Sequence, residues 1–205
     1  MNPPDFDPVA RPYRFLEYAS FGPALWRRRI AFLSRLAPAR RVLMLGEGDG
    51  RFLQAFLQSN PDAAIDYLDA SPAMTALARS RARSPRVRFH TANALTSSYA
   101  PAGYDLLVTH FFLDCFGPTE LPGLIESLAA AAQPRAQWLI SDFRAPHLPA
   151  RLLVRGLYFF FAQTTGLRTT RLTPHAPLLE KAGFQLRREE TALGGLLASE
   201  LWQRS

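Results

Sequence analysis

The feature that most constrains this chain is a short apolar strand that runs directly into three alternating glycines and then into a helix. Residues 42–52 read VLMLGEGDGRF, with glycines at positions 46, 48 and 50. Glycine permits a tight turn and lets a ligand approach the backbone closely. The first turn of the following helix adds N–H groups that have no partner within the helix. The segment therefore predicts an α/β fold with a ligand site at the end of its first strand.

The rest of the chain alternates between strand and helix patterns. Short apolar runs predict five strands, and apolar residues at helical spacing predict helices between them. Such alternation predicts a doubly wound, mostly parallel sheet with helices on both faces. Two final strands are predicted as an antiparallel edge pair. The seven predicted strands cover residues 41–45, 65–68, 87–89, 104–109, 138–140, 184–188 and 196–202.

A helical segment precedes this core. Trp26, Ile30, Leu33 and Ala37 recur at helical spacing, and Pro38 ends the pattern. We therefore expect residues 1–39 to form a helical addition to the same domain, and residues 40–205 to form its ligand-binding core.

The chemistry of the glycine loop favours a cationic ligand. Dinucleotide sites usually carry G-x-G-x-x-G, whereas this loop is G-x-G-x-G with Glu47 and Asp49 between the glycines. Two carboxylates suit a positively charged ligand better than a pyrophosphate. An ordinary strand-to-helix turn is the alternative interpretation.

Two further strand ends carry polar residues. Asp69 ends the second strand and is placed to accept hydrogen bonds from ribose hydroxyls, unless it only caps the next helix. Ser71 followed by Pro72 is a better cap, which would leave Asp69 for a ligand. Asn93 follows the third strand, where it would bond an adenine amino group or be a surface-loop residue.

With these residues the chain resembles the class I S-adenosylmethionine-dependent methyltransferases, most closely over residues 40–142. The resemblance implies a Rossmann-like seven-stranded sheet whose last strand is antiparallel, and it implies S-adenosyl-L-methionine as the cofactor. The helical segment with Tyr13 and Glu17 resembles the lid of small-molecule members. Where the family usually has an acid two residues before the first glycine, this chain has Met44. The residues that the resemblance assigns to the cofactor are Gly46, Glu47, Gly48, Asp49, Asp69, Ala70, Ser71, Met74, Asn93, Ala94, Thr109 and His110.

Methyl transfer from a sulfonium depends mainly on alignment and exclusion of water, and a general base helps only a protonated acceptor. The candidates for such a base are His110 and Asp114 after the fourth strand and Asp142 after the fifth. Alternatively, His110 contacts only the cofactor and Asp142 caps a turn. Cys115 is interpreted as a buried small residue rather than a nucleophile.

The acceptor is predicted to be a small apolar or aromatic molecule. Residues 152–161 contain Leu152, Leu153, Val154, Leu157, Tyr158 and three phenylalanines, which would line a pocket or simply cover the sheet.

Three alternative functions remain open. The net charge of +7 also allows an RNA substrate, but the segment after the fourth strand lacks the Asn/Asp-Pro-Pro-aromatic motif of base-methylating relatives. A membrane-surface role would use Arg151, Arg155 and Arg168. A binding protein without turnover is a further alternative, suggested by Met44.

Other classes are disfavoured by composition. The single cysteine excludes an internal disulfide, and the four histidines lack metal-ligand spacing, so no metal site is expected. The first residues lack the pattern of a signal peptide, and no uncharged apolar run is long enough to cross a bilayer. A cytoplasmic location is the resulting expectation.

Overall fold

A computed structural model describes residues 21–36, 38–165, 169 and 172–205, without the side chains of 157 and 159–165. The expected lid residues Tyr13 and Glu17 lie outside the described residues, as do Arg168 and the side chains of the three consecutive phenylalanines. The lid therefore stays a prediction.

The core is one seven-stranded sheet in the order β3-β2-β1-β4-β5-β7-β6. The first five strands pair in parallel, and β7 lies antiparallel between β5 and β6. The mostly parallel sheet with one reversed strand near its edge is confirmed. The strands are β1 (Arg41–Leu45), β2 (Ala64–Asp69), β3 (Val87–Thr91), β4 (Tyr104–His110), β5 (Ala132–Phe143), β6 (Phe184–Ala192) and β7 (Leu197–Arg204).

Helices cover both faces of the sheet, as the near-continuous apolar strands predict. Along β1, Val42 and Met44 belong to a buried cluster with the helices at residues 51–59 and 72–82. Leu43 and Leu45 belong to the cluster on the opposite face, with the helices at residues 121–131 and 176–181. The helices of the described part are α1 (Ala24–Arg29), α2 (Arg51–Ser59), α3 (Pro72–Ala82), α4 (Leu121–Ala131), α5 (Leu148–Thr165) and α6 (Ala176–Lys181).

Strand β5 is much longer than the three residues predicted for it. It starts at Ala132, which pairs with Tyr104, and a bulge shifts the register before Leu106 pairs with Gln137. Pro134 and Arg135 lie in this irregular part, and Arg135 has a positive φ of 64°. Because these residues are exposed and polar, no apolar alternation reveals the first half of the strand.

The N-terminal helix α1 is shorter than the predicted span, and it is held at its C-terminal end by the sheet. It stops after Arg29, and a single 3₁₀ turn follows at Leu33–Arg35. The carbonyl oxygen of Arg28 accepts hydrogen bonds from the hydroxyls of Ser141 (3.0 Å) and Ser199 (2.7 Å). These bonds satisfy one of the carbonyls that a helix end leaves open, and they fix α1 across β5 and β7.

Helix α5 follows β5 and carries two different faces. Val154 and Tyr158 are buried against Leu196 and Leu197, whereas Leu148 and Leu152 are 67% and 62% exposed. The expectation that Leu152 and Leu153 line a pocket is wrong, because both side chains face solvent. In the part of the chain that the structure describes, no helix is long and apolar enough to cross a membrane.

Candidate cofactor and acceptor site

The three glycines of the loop all adopt positive φ, from 63° to 77°, but their surroundings differ. A Cβ on Gly46 would overlap the ring of Phe112 at 2.2 Å, and one on Gly50 would meet Ala78 at 2.7 Å. At Gly48 the nearest atom is the sulfur of Met74 at 3.8 Å. Gly46 and Gly50 are thus required by packing within the protein, while Gly48 leaves room beside the loop.

Asp69 joins the glycine loop to the end of β2. Its carboxylate accepts hydrogen bonds from the backbone N–H groups of Gly48 (3.2 Å) and Ser71 (2.9 Å). Ser71 caps α3 as predicted, since its hydroxyl accepts from the N–H of Met74 at 3.1 Å. Asp69 thus has protein partners although Ser71 is the cap, and its predicted role towards a ligand stays a prediction. Each carboxylate oxygen accepts two hydrogen bonds, however, so Asp69 retains capacity for hydroxyl donors.

A buried tyrosine that the sequence reasoning missed supports the same loop. The Tyr67 hydroxyl donates to the carbonyl of Gly48 at 2.6 Å, and the ring is fully buried. Burial, reinforced by the nearby carboxylates, raises the pKa of Tyr67 well above its usual value. The phenol therefore stays protonated and keeps donating to the loop. Alternation along β2 indicates that Tyr67 is buried, but not that its hydroxyl reaches residue 48.

Glu47 points into the protein and meets His110 from the end of β4. Both side chains are fully buried, with His110 Nδ1 2.9 Å from Glu47 Oε1 and Arg29 Nη1 3.9 Å from Oε2. Despite this proximity, neither carboxylate oxygen nor either imidazole nitrogen has a hydrogen-bond partner of normal geometry in the described residues. The His110 ring also packs edge-on against Phe52, with the centroids 4.5 Å apart. His110 is thus a neighbour of Glu47.

Asp49 does not share this position. Arg81 Nη1 lies 2.7 Å from its carboxylate and Arg51 Nε lies 3.1 Å from it. Burial alone would raise the pKa of Asp49, but the two arginines outweigh that effect and lower it. The charge of Asp49 is therefore already paired with two arginines, and its predicted contact with the cofactor stays a prediction.

The remaining predicted cofactor contacts have structural partners. The Asn93 side chain accepts from the N–H of Leu95 at 2.9 Å, and the Ala94 carbonyl accepts from the Tyr99 hydroxyl at 2.8 Å. Thr109 is fully buried, and its hydroxyl accepts from the Trp138 indole at 3.0 Å. Its side chain therefore belongs to the interior of the sheet. Ala70 is partly buried and lies in the short connection between β2 and α3.

Asp114 and Asp142 are brought together at the ends of β4 and β5. The Asp142 carboxylate accepts from the N–H groups of Asp114 (3.1 Å) and Phe143 (2.9 Å). Burial raises the pKa of Asp114 to about 6, and burial together with the Asp114 charge raises that of Asp142 well above its usual value. The pair therefore retains a proton near neutral pH, unlike ordinary carboxyls.

The acid pair lies in the wall of a cavity of about 900 Å³. This volume suits a small organic molecule. One side is formed by the strand ends, and the other by α5 and residues 172–176. The lining comprises Asp114, Asp142, Phe143, Arg144, Ala145, Arg151, Val154, Arg155, Leu172, Thr173, Pro174, His175, Ala176 and Glu200. His110, the third predicted catalytic residue, is not among these residues.

A network around Glu200 stiffens one wall of this cavity. Glu200 accepts from Arg144 (2.5 Å), His175 (3.0 Å) and the Trp202 indole (2.6 Å). Burial opposes its ionisation, but these donors lower the pKa of Glu200 to about 2. Arg144 also pairs with Glu189. The charges of Arg144 and Glu200 are thus satisfied within the protein.

Comparison with known proteins agrees with this architecture. Residues 42–135 match the methyltransferase domain family. A search of curated protein sequences gives no significant match. Among solved structures, an O-methyltransferase family protein from Burkholderia thailandensis superposes with a TM-score of 0.71 and 19% identity, covering 96% of this chain and 59% of that one.

Two further structures match the chain over more of their own length. A chain of the complex between the Haloferax volcanii Trm112 methyltransferase activator and a methyltransferase gives a TM-score of 0.76, 14% identity and 99% coverage of both chains. An S-adenosylmethionine-dependent methyltransferase from Methanosarcina mazei gives 0.64, 18% identity, and 85% and 96% coverage. The chain thus has the fold of these methyltransferase structures. Residues 42–135, which include the glycine loop and the first four strands, are the part of the chain that is similar to the methyltransferase domain family.

Proposed function

We propose that this protein binds S-adenosylmethionine beside Gly48 and transfers its methyl group to a small molecule in the cavity under α5. The observation that carries the proposal is the pair of carboxylates at adjacent strand ends. Glu47 is buried and has no hydrogen-bond partner of normal geometry in the described residues, and Asp69 accepts from the N–H of Gly48, the loop glycine with room beside it. A buried carboxylate without hydrogen bonds is costly unless a ligand satisfies it.

The two carboxylates fit the hydrogen-bond donors of the cofactor by chemistry. Asp69 would accept from the ribose hydroxyls, and Glu47 would accept from the ammonium of the methionine end. Met44, where relatives usually carry an acid, is fully buried in the cluster with α2 and α3. Glu47 would therefore supply from the loop the charge that the strand lacks. When bound, S-adenosylmethionine supplies an electrophilic methyl group on a sulfonium.

The chain's own residues then serve the acceptor. The cavity would exclude water and hold the acceptor against the strand ends, which is the main requirement for such a displacement. A hydroxyl acceptor must lose its proton, and the ionised member of the Asp114–Asp142 pair would take it. With its pKa raised to about 6, Asp114 is a stronger base than an ordinary carboxylate while still ionised at neutral pH.

The proposal is tested first by thermal unfolding with S-adenosylmethionine, S-adenosylhomocysteine or NAD. A ligand at about 100 times its Kd stabilises by about 2.7 kcal/mol, which corresponds to a Tm rise of roughly 5–10 °C for a domain of this size. We expect this rise with the two adenosyl ligands and none with NAD. The absence of a rise with either adenosyl ligand at millimolar concentration contradicts cofactor binding.

The alternatives are separated by two further measurements. A binding protein without turnover would show the Tm rise but would form no S-adenosylhomocysteine with any fraction of a metabolite extract. An RNA methyltransferase would bind RNA with an affinity that falls steeply as salt increases. We expect turnover with a small-molecule fraction, and we expect treatment of that fraction with ribonuclease to leave the turnover unchanged.

A further inference from the structure

The cavity has opposite charge on its two sides. The acid pair Asp114–Asp142 lies at the strand ends, whereas α5 contributes Arg151 and Arg155 to the lining. These arginines are four residues apart, so they lie one helical turn apart on the same face of α5. A ligand spanning the cavity would thus meet carboxyl groups at one end and guanidinium groups at the other.

Arg151 and Arg155 differ from the other basic groups of the cavity because no carboxylate pairs with them in the described part of the chain. Arg144 is bound by two glutamates, and His175 by Glu200. The one described side-chain hydrogen bond of Arg151 runs from Nε to the carbonyl of Ala145 at 3.4 Å. The two guanidinium groups therefore have donors available for an anion, and guanidinium groups bind carboxylate and phosphate with directional hydrogen bonds.

The Thr173 hydroxyl is a third polar group of the lining that is available to a ligand. The Thr173 hydroxyl oxygen is buried and makes no hydrogen bond with the described residues, although Thr173 borders the cavity. Apolar surface from Val154, Leu172 and Pro174 lies among these polar groups. This mixture suits a molecule with an apolar body and polar groups at its ends.

We infer that the methyl acceptor is an anionic hydroxy compound. Its carboxylate or phosphate would bind Arg151 and Arg155, and its hydroxyl would face Asp114 and Asp142. This inference rests on the proposed methyltransferase function and names its substrate class. In the reaction the hydroxyl oxygen bonds to the methyl carbon, the carbon–sulfur bond breaks with its electron pair going to sulfur, and the hydroxyl proton passes to the carboxylate pair. The products are a methyl ether and S-adenosylhomocysteine.

The test uses binding as well as turnover. Isothermal titration in saturating S-adenosylhomocysteine compares hydroxybenzoates and hydroxyphenyl phosphates with neutral hydroxybenzamides and hydroxybenzyl alcohols of the same ring pattern. We expect the best anionic probe to bind at least about tenfold more tightly than its neutral counterpart, since hydrogen bonds to charged groups contribute about 1.5–3 kcal/mol. The carboxylate and phosphate series show which anion the site prefers. If neutral probes bind as tightly, or if no anionic probe binds at millimolar concentration, the inference is overturned.

Substitution of the two arginines tests whether they cause the preference for anionic over neutral probes. R151Q/R155Q should reduce the anionic preference to less than about threefold while leaving the Kd for S-adenosylhomocysteine unchanged. R40Q is the control, because Arg40 is an exposed arginine just before β1, at the amino-terminal ends of the parallel strands and away from the cavity at their carboxyl ends. An unchanged preference in the double variant overturns the assignment.

The two proposals fail in different ways. If S-adenosylhomocysteine does not bind, the proposed function fails, and the anionic preference is then measured without it. If S-adenosylhomocysteine binds but the anionic preference is absent, only the acceptor class is wrong. Methyl-ether formation with the best anionic probe and its loss in R151Q/R155Q, but not in R40Q, would support both proposals.

Discussion

At the residue scale, two acidic residues that are close in sequence have different environments, because they contact different partners. Glu47 and Asp49 lie two residues apart in one loop, yet Asp49 is neutralised by Arg51 and Arg81 whereas Glu47 is buried beside His110. Only the second arrangement leaves carboxylate oxygens without hydrogen bonds. The ligand chemistry of the loop therefore depends on which direction each acid faces, a property fixed by contacts distant in sequence.

Asp69 provides the most direct test of the cofactor site. The N–H groups of Gly48 and Ser71 donate to different oxygens of Asp69, so D69N keeps an acceptor for only one of them and removes the charge. We expect the Kd for S-adenosylhomocysteine to rise at least about tenfold, measured by isothermal titration. D62N serves as the control, because the Asp62 side chain is 93% exposed. An unchanged Kd in D69N would reject the ribose role.

The loop glycines make a second, independent prediction. G46A and G48A impose similar backbone strain, about 1–2 kcal/mol, since both positions have φ near 64°. G46A additionally forces the Phe112 ring to move, which costs a further ~1–3 kcal/mol. Urea unfolding should therefore show a larger loss for G46A.

The role of Phe112 is checked by a double variant. Adding F112A should remove most of the excess loss of G46A over G48A, because the overlapping ring is then absent. If the two glycine variants lose equal stability, the contact between Gly46 and Phe112 is not a constraint on this loop.

At the scale of elements, two acidic residues at the ends of β4 and β5 make the free energy of unfolding depend on pH. The carboxyls of Asp114 and Asp142 hold their protons more tightly in the folded chain than in the unfolded chain, because burial raises both pKa values. Their contribution to stability is thus present at low pH and declines as pH rises from about 3.8 through about 6. In D114N the free energy of unfolding should fall less steeply over this window, measured by urea unfolding at several pH values. A slope equal to that of wild type would contradict the shift.

Helix α1 is attached to β5 and β7 by two hydrogen bonds, and their removal should loosen this helix alone. The hydroxyls of Ser141 and Ser199 converge on the Arg28 carbonyl, and each such bond contributes about 1 kcal/mol. S141A/S199A should increase amide hydrogen exchange in residues 24–30 by at least about tenfold, without altering exchange in α4 on the other face. Uniform acceleration across the whole protein would instead indicate general destabilisation.

At the scale of the whole molecule, the strands of the parallel core and the glycine loop are predictable from sequence, because apolar runs and glycine spacing are local signals. β1 is predicted at the bounds it has, Arg41–Leu45. The first half of β5 is not predictable, because Pro134 and Arg135 interrupt its apolar pattern. The contact between Glu47 and His110 cannot be predicted from the sequence either, because it joins residues that lie close together only after β1 and β4 have paired.

The cavity illustrates the same limit. The apolar run on α5 suggests an apolar pocket, but Leu152 faces solvent while Arg151 and Arg155 line the cavity. A helix with apolar residues on more than one side leaves open which side is buried, and here the docking of Val154 and Tyr158 on the β6–β7 connection decides it.

The insertion of β7 between β5 and β6 has a kinetic consequence. β6 and β7 are joined by a short connection and form a hairpin from local contacts, whereas the pairing of β7 with β5 spans about sixty residues and must close a longer loop. The hairpin is therefore expected to form early during refolding and to dock onto β5 later. Docking brings Trp202 opposite Trp138, so the indole emission of these two side chains records the moment at which the cavity wall is assembled.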